Sequence, residues 1–205
     1  MQPKFLYFDL GKVLVDFSYD QMLAQIGGVA GIDAETVRAV IFDGELLPQF
    51  ESGRLSAAEF YEAFCTAIGS RPDFAALATA ASAIFALNLP MLPLVSQLQQ
   101  AGYRMGILSN TCVLHWDYCV GQYRIVAEGF SVHALSFRIG AVKPEAAIFH
   151  AAAELAGVRP EEIFYVDDMP QHVAGARSVG FDAVQYTTTT ALADELRRRG
   201  VRWNY

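Results

Sequence analysis

Lys4-Phe5-Leu6-Tyr7-Phe8-Asp9-Leu10-Gly11 carries a β-prone apolar run straight into a carboxylate and then a glycine. A continuous apolar run of this length reads as a short strand buried on both faces. Ending such a strand on a carboxylate is costly unless the group is used, which makes Asp9 the first candidate functional residue. The same pattern recurs further along. Residues 104–108 run into Ser109-Asn110, and residues 163–166 run into Asp167-Asp168, with two more candidate strands at 132–137 and 182–186. Helical patterns fall between them. Met91, Leu94, Val95 and Leu98 have the spacing of one buried helix face. Residues 144–156 are predicted to start a helix with Pro144 just inside it and to stop at Gly157; residues 171–179 and 190–199 read as helices too. Strands alternating with helices predict an α/β fold, a doubly wound parallel, Rossmann-like sheet with helices on both faces.

Residues 16–88 break this alternation. They read as all-helical, with stops near Gly27-Gly28, Gly31, Gly44, Gly53 and Gly69, and with Ser56-Ala57-Ala58-Glu59 as a capping box opening an amphipathic helix. The expected organisation is therefore a core of residues 1–15 and 89–205 carrying an inserted small helical cap at 16–88.

Composition narrows the function. The 205 residues hold 15 Lys+Arg against 22 Asp+Glu, a net charge of −7, and 53% are apolar with 18% charged. That excludes a disordered chain and argues against nucleic acid or an anionic membrane as partner. The charge is not evenly spread: residues 16–88 hold ten acids and three bases, whereas the remainder holds twelve of each. Residues 74–103 lack charge entirely, but Asn88, Pro90 and Pro93 interrupt them, so they read as two helices joined by a link rather than a membrane span. The N-terminus reaches Asp9 too soon for a signal-peptide core, and the three cysteines (Cys65, Cys112, Cys119) fit no zinc spacing; both features point to a cytoplasmic protein. No protein partner is evident.

In a doubly wound sheet, ligands bind outside the carboxyl ends of the strands. Asp9, Ser109-Asn110-Thr111 and Asp167-Asp168 all follow strands, and Lys143 sits in the loop Gly140-Ala141-Val142-Lys143-Pro144 before a helix. Carboxylates, a hydroxyl, backbone amides and a lysine gathered at one edge suit Mg²⁺-assisted attack on a phosphate, with a carboxylate as nucleophile.

Phe8-Asp9-Leu10-Gly11-Lys12-Val13-Leu14, Leu108-Ser109-Asn110-Thr111, Lys143-Pro144 and Val166-Asp167-Asp168 resemble, in order, the four motifs of the haloacid dehalogenase-like hydrolase superfamily. The resemblance covers almost the whole chain. The Asp-Leu-Gly start, the Ser-Asn-Thr turn with His115 downstream, the Asp-Asp pair and the stretch from Phe50 to Phe60 are similar to a bacterial subgroup that includes α-D-glucose-1-phosphate phosphatases. The resemblance implies a phosphatase with Asp9 as nucleophile and metal ligand, and Lys143 as the group neutralising nucleophile and phosphate. Leu10, Gly11, Ser109 and Asn110 would lie against the phosphate. Asp9, the Gly11 carbonyl and Asp168 would hold Mg²⁺. The implied partner is a small phosphorylated metabolite, a sugar phosphate above others.

Two positions depart from the commonest pattern. Where a general-acid Asp is usual two residues after the nucleophile, this chain has Gly11, which predicts a substrate with a good leaving group. His172 stands where Asp or Asn is usual. Around these, Asp167 reads either as a buried support or as a helix N-cap, and His172 as structural or as a support behind the site residues. His115 reads as a loop or core histidine, Lys12 as a solvated residue, and Glu51 and Arg54 as possible cleft-lining residues of the cap. Two other functions fit the fold: a non-catalytic binding protein and a 2-haloacid dehalogenase, in which Asp9 would attack carbon without a metal.

Overall fold

The computed structural model describes residues 2–203. Seven strands run in chain order: β1 (Phe5–Phe8), β2 (Val15–Asp16), β3 (Ala86–Leu87), β4 (Met105–Ser109), β5 (Val132–Leu135), β6 (Ile163–Asp167) and β7 (Asp182–Gln185). Five of them form a parallel sheet in the order β5-β4-β1-β6-β7. The apolar run that opens the chain is its central strand, and every residue of it is buried.

Alternation along β1 explains why both faces must be covered. Leu6 and Phe8 face one core with Leu94, Val95, Leu98 and Leu196. Phe5 and Tyr7 face the other with Ile148, Phe149, Ala152 and Ala176. Each such buried side chain contributes roughly 1.5–3 kcal/mol. The Tyr7 hydroxyl avoids an unpaired polar atom by donating to the Ala152 carbonyl at 2.9 Å.

The chain runs from β1 to β4 and β5 on one side of the sheet, then returns to β6 and β7 on the other. The strand order therefore reverses beside β1, and the crevice at that switch point is where open α/β sheets bind ligands. Helices between β2 and β3, from Tyr19 to Ser82, build a third core of their own around Met22, Ile26, Ile41, Phe50, Phe60 and Phe64. Ser56 and Glu59 form the expected capping box at the start of the helix Ala57–Ile68.

Local expectations differ from the structure at several points. The helix read from Pro144 begins at Ala146 instead, because the Glu145 amide bonds the Val142 carbonyl at 2.9 Å and closes a turn containing Pro144. Gly27-Gly28 do not stop the helix Tyr19–Ala30; its buried face of Met22, Leu23 and Ile26 outweighs a propensity cost of about 1 kcal/mol per glycine. Residue 136 leaves the expected strand 132–137 to start the short helix Ser136–Ile139. The antiparallel β2–β3 pair and the helix Val113–Gln122 carry no clear periodic signal. No helix among the described residues is long and apolar enough to cross a membrane.

Candidate active site

Asp9 follows β1, Ser109 ends β4 and Asp167 ends β6, so three adjacent strands deliver polar groups to one edge. Asp9 is nearly buried. Its Oδ1 accepts the Leu10 amide at 2.7 Å, and its Oδ2 lies 3.0 Å from Lys143 Nζ. Lys143 is buried as well. Its ammonium also donates to Asp167 Oδ2 at 2.7 Å, to the Leu108 carbonyl at 3.2 Å and to the Tyr165 hydroxyl at 3.1 Å. Burial lowers its basicity, but the Asp9 and Asp167 carboxylates outweigh that and hold it above the usual lysine range.

Asn110 positions this lysine. Its Oδ1 accepts the Lys143 amide at 2.8 Å while its Nδ2 donates to the Lys143 carbonyl at 3.1 Å, a two-point clamp between the loops after β4 and before the helix Ala146–Ala156. Gly175 lets the following helix close over the same loop, since a Cβ there would stand 2.7 Å from the Pro144 carbonyl oxygen.

The two neighbouring aspartates are unlike each other. Asp167 is fully buried and saturated. Its Oδ1 accepts the Met169 amide at 2.8 Å and faces His172 Nδ1 at 3.1 Å; its Oδ2 takes Lys143 and the Tyr165 hydroxyl. Burial raises Asp167, but the Lys143 charge and these hydrogen bonds prevail and hold it well below the usual carboxylate range. Asp168 is half-buried, and burial together with the Asp167 charge raises it. Among the described residues no side chain hydrogen-bonds its carboxyl, which is engaged only by backbone. In Asp9, burial and the Asp167 charge lift the carboxyl to about 8 against the pull of Lys143.

The side-chain donor atoms of Asp9, Asp167 and His172 lie within 4.8 Å of one another, so a cation could be held here. The carboxylates are hard oxygen donors of the kind magnesium requires. Asp167 has its lone pairs already occupied, which leaves Asp9 and Asp168 as the carboxylates with free ones. His172 turns Nδ1 to Asp167 and is mostly buried, which makes it a support for that residue.

Two cavities lie at this edge and share part of their walls. The inner one is small, about 40 Å³, and is lined by Leu10, Gly11, Ser109, Asn110, Glu51 and His115 among others. The outer one is about 450 Å³ and runs past Pro48, Ser52, Arg54, Val142 and Glu145. Glu51 and Asn110 line both. His115 is in the helix Val113–Gln122 with its ring 5.2 Å from that of Phe85, and burial pushes it down to about 4. Lys12 is turned away to the Phe17 carbonyl, 2.7 Å off, and over the Phe17 ring. Arg54 is exposed and bonds the Ser52 hydroxyl at 2.9 Å.

Three residues escape a reading by motif. Tyr165 bridges Lys143 and Asp167; its signal was a polar tip two residues before Asp167 on the same strand face. Ser136 Oγ lies 2.6 Å from the Glu51 carbonyl oxygen and accepts the Thr111 amide at 2.9 Å, tying the helical segment to the sheet edge. Phe17 lies against Gly11, where a Cβ would come 2.8 Å from its ring.

A carboxylate–lysine–carboxylate cluster at the switch point of such a sheet defines a class of hydrolase, and the comparison with known families agrees. Residues 8–180 match the haloacid dehalogenase-like hydrolase family, and the chain belongs to it. Among individual relatives, it is 26% identical to D-ribitol-5-phosphate phosphatase of Bacteroides thetaiotaomicron over 89% of this chain and 91% of that one. It is 31% identical to glyceraldehyde 3-phosphate phosphatase of Methanopyrus kandleri over 46% of this chain and 41% of that one. A haloacid dehalogenase family enzyme of Bacteroides thetaiotaomicron, solved as a complex with magnesium and inorganic phosphate, superposes with a TM-score of 0.79 at 26% identity, covering 91% of this chain and 96% of that one.

Proposed function

We propose that this protein is a magnesium-dependent phosphatase that hydrolyses a small sugar or polyol phosphate through an aspartyl-phosphate on Asp9. The observation that carries this reading is the buried Lys143 held between Asp9 at 3.0 Å and Asp167 at 2.7 Å, at the strand ends where a ligand would bind. The magnesium-and-phosphate complex of the related enzyme and the phosphatase relatives support it.

In this reading Asp9 attacks phosphorus and the bond to the leaving alcohol breaks; water then releases phosphate and restores Asp9. Lys143 offsets the repulsion between the carboxylate and the phosphate, in a buried site where a charge counts for more than in water. Asp167 acts through Lys143 by fixing its ammonium. Ser109 and the Asn110 amide hold phosphate oxygens. Asp9, Asp168 and the Gly11 carbonyl would hold the cation, which when bound neutralises phosphate charge and lowers the Asp9 pKa. Residues 16–88 act as a cap over the cleft and bring Glu51 and Arg54 to it.

The test is phosphate release from sugar and polyol phosphates with Mg²⁺ or with a chelator, for wild type and Asp9→Asn. Release that needs the metal and vanishes in the variant is expected. Release unaffected by either change would overturn the reading.

A further inference from the structure

Cleaving an alkyl phosphate puts negative charge on the departing oxygen, and a proton delivered there contributes typically 10²–10⁴-fold. Among the described residues, the sheet side of this cleft has no group placed to give one. Gly11 has no side chain, and the Phe17 ring fills the adjacent space. Lys143 is locked between two carboxylates. Asp167 has both oxygens engaged, and His172 faces it.

Glu51 approaches from the opposite wall. It ends the helix Leu46–Glu51, and Ser136 Oγ holds its carbonyl oxygen at 2.6 Å. The inner cavity, with the strand ends and Ser109, has room for little more than a phosphoryl group; the outer one has room for a leaving group. Glu51 and Asn110 line both, so an ester with its phosphoryl group in the inner cavity and its leaving group in the outer one would carry its bridging oxygen past them.

Resting on the phosphatase reading above, we propose that Glu51 is the general acid that protonates the leaving oxygen. As the Asp9–phosphorus bond forms and the phosphorus–oxygen bond breaks, the Glu51 proton passes to the departing alkoxide and an alcohol leaves. The attack of water on the aspartyl-phosphate does not use the resulting glutamate, which takes a proton back from solvent. That restores the acid as inorganic phosphate is released.

The electrostatics suit the role. No hydrogen bond among the described residues engages the Glu51 carboxyl. Burial pushes it up to about 7 while Lys143 pulls the other way, so much of it is protonated near neutrality. The ionisable groups around it are Tyr19 and Cys112, both pushed up and so neutral, His115, pushed down and neutral, Lys143, and Arg54 and Glu145 on the outer wall. A protonated glutamic acid also avoids repelling the phosphate. With this donor, Gly11 no longer restricts the site to good leaving groups.

Glu51→Gln keeps the shape and removes the proton. Ribitol 5-phosphate, an alkyl ester, and p-nitrophenyl phosphate, whose leaving group needs no proton, are compared in Mg²⁺. The expected result is a kcat loss of about 10²-fold or more on the alkyl ester and less than about threefold on the aryl ester. In wild type, alkyl kcat should fall as pH rises through about 7 while aryl kcat does not. Equal losses on both esters, no loss on the alkyl ester, or a changed KM with kcat intact would overturn the assignment. So would identical wild-type pH profiles, a readout independent of how the variant folds. Asp9→Asn with p-nitrophenyl phosphate is the separate control. If wild type releases nothing, or the variant releases as much, the phosphatase reading falls and the proposal with it.

Discussion

The ring of Phe17 stands where a side chain on residue 11 would go, with its Cε1 2.8 Å from the position of a Gly11 Cβ. Phe17 is pinned there by Tyr19, by Phe85 and by the Lys12 ammonium over its face. Glycine at this position is thus part of a repacked wall. Gly11→Asp is expected to lower stability by about 1–3 kcal/mol through overpacking and to bring no gain in phosphatase turnover. Adding Phe17→Ala should recover part of the stability. Urea unfolding of the single and double variants checks this; an unstrained, more active Gly11→Asp would show that the wall yields.

Lys143→Met should be severe in both stability and activity. It leaves Asp9 and Asp167 buried without their cation. Removing one partner of a buried ionic group typically costs 3–5 kcal/mol, and urea unfolding at neutral pH should show a loss of about that size. Phosphate release should fall by at least about 10²-fold. A variant as stable as wild type would mean that the buried Asp167 carboxylate is not held ionised by this lysine.

His115 makes stability depend on pH in mild acid. Its folded pKa is depressed to about 4 from an ordinary value near 6.5, because burial disfavours the imidazolium. Protonation therefore favours the unfolded chain first. The stabilising contribution is complete above pH 6.5, declines as pH falls, and is gone below about 4. The integrated effect is about 3 kcal/mol. His115→Asn should flatten that part of the stability–pH curve; an unchanged slope would assign the dependence elsewhere.

The charge distribution bears on substrate choice. The net −7 resides in residues 16–88, and the outer cavity offers an anion only the Arg54 guanidinium, beside the Glu145 carboxyl and the largely neutral Glu51. A second anionic group on the leaving side should be disfavoured. Sugar or polyol monophosphates are expected to be turned over faster than bisphosphates and nucleoside triphosphates in a phosphate-release panel. Faster turnover of the bisphosphates would overturn that.

Much of the fold was legible in advance because its signals are local. Residues 4–10 read as a short buried strand because four consecutive residues, Phe5 to Phe8, are apolar, and the strand order put it at the centre of the sheet. Residues 104–108 and 163–166 declared themselves in the same way, 132–137 and 182–186 stood only as further candidates, and the capping box at Ser56 marked a helix start by its side-chain pattern alone. Pro144 misled because a proline fits both a helix start and a turn, and only the Glu145–Val142 hydrogen bond distinguishes them. The β2–β3 pair was invisible, since two residues carry no periodicity.

By itself, then, the amino-acid order determined the α/β class, the sheet's apolar strands and which residues stand at their ends, because hydrophobic period and strand-end polarity are properties of short stretches. Tertiary structure decided the rest. It separated Asp167 from Asp168, since only packing shows that one has every lone pair occupied while no side chain among the described residues engages the other. It placed Phe17 over Gly11 and swung Lys12 away from the nucleophile. It brought Glu51 across 85 residues of chain to Ser136 and the cleft. Distances between residues far apart in sequence follow from how whole elements bury their apolar faces, and no local pattern encodes them.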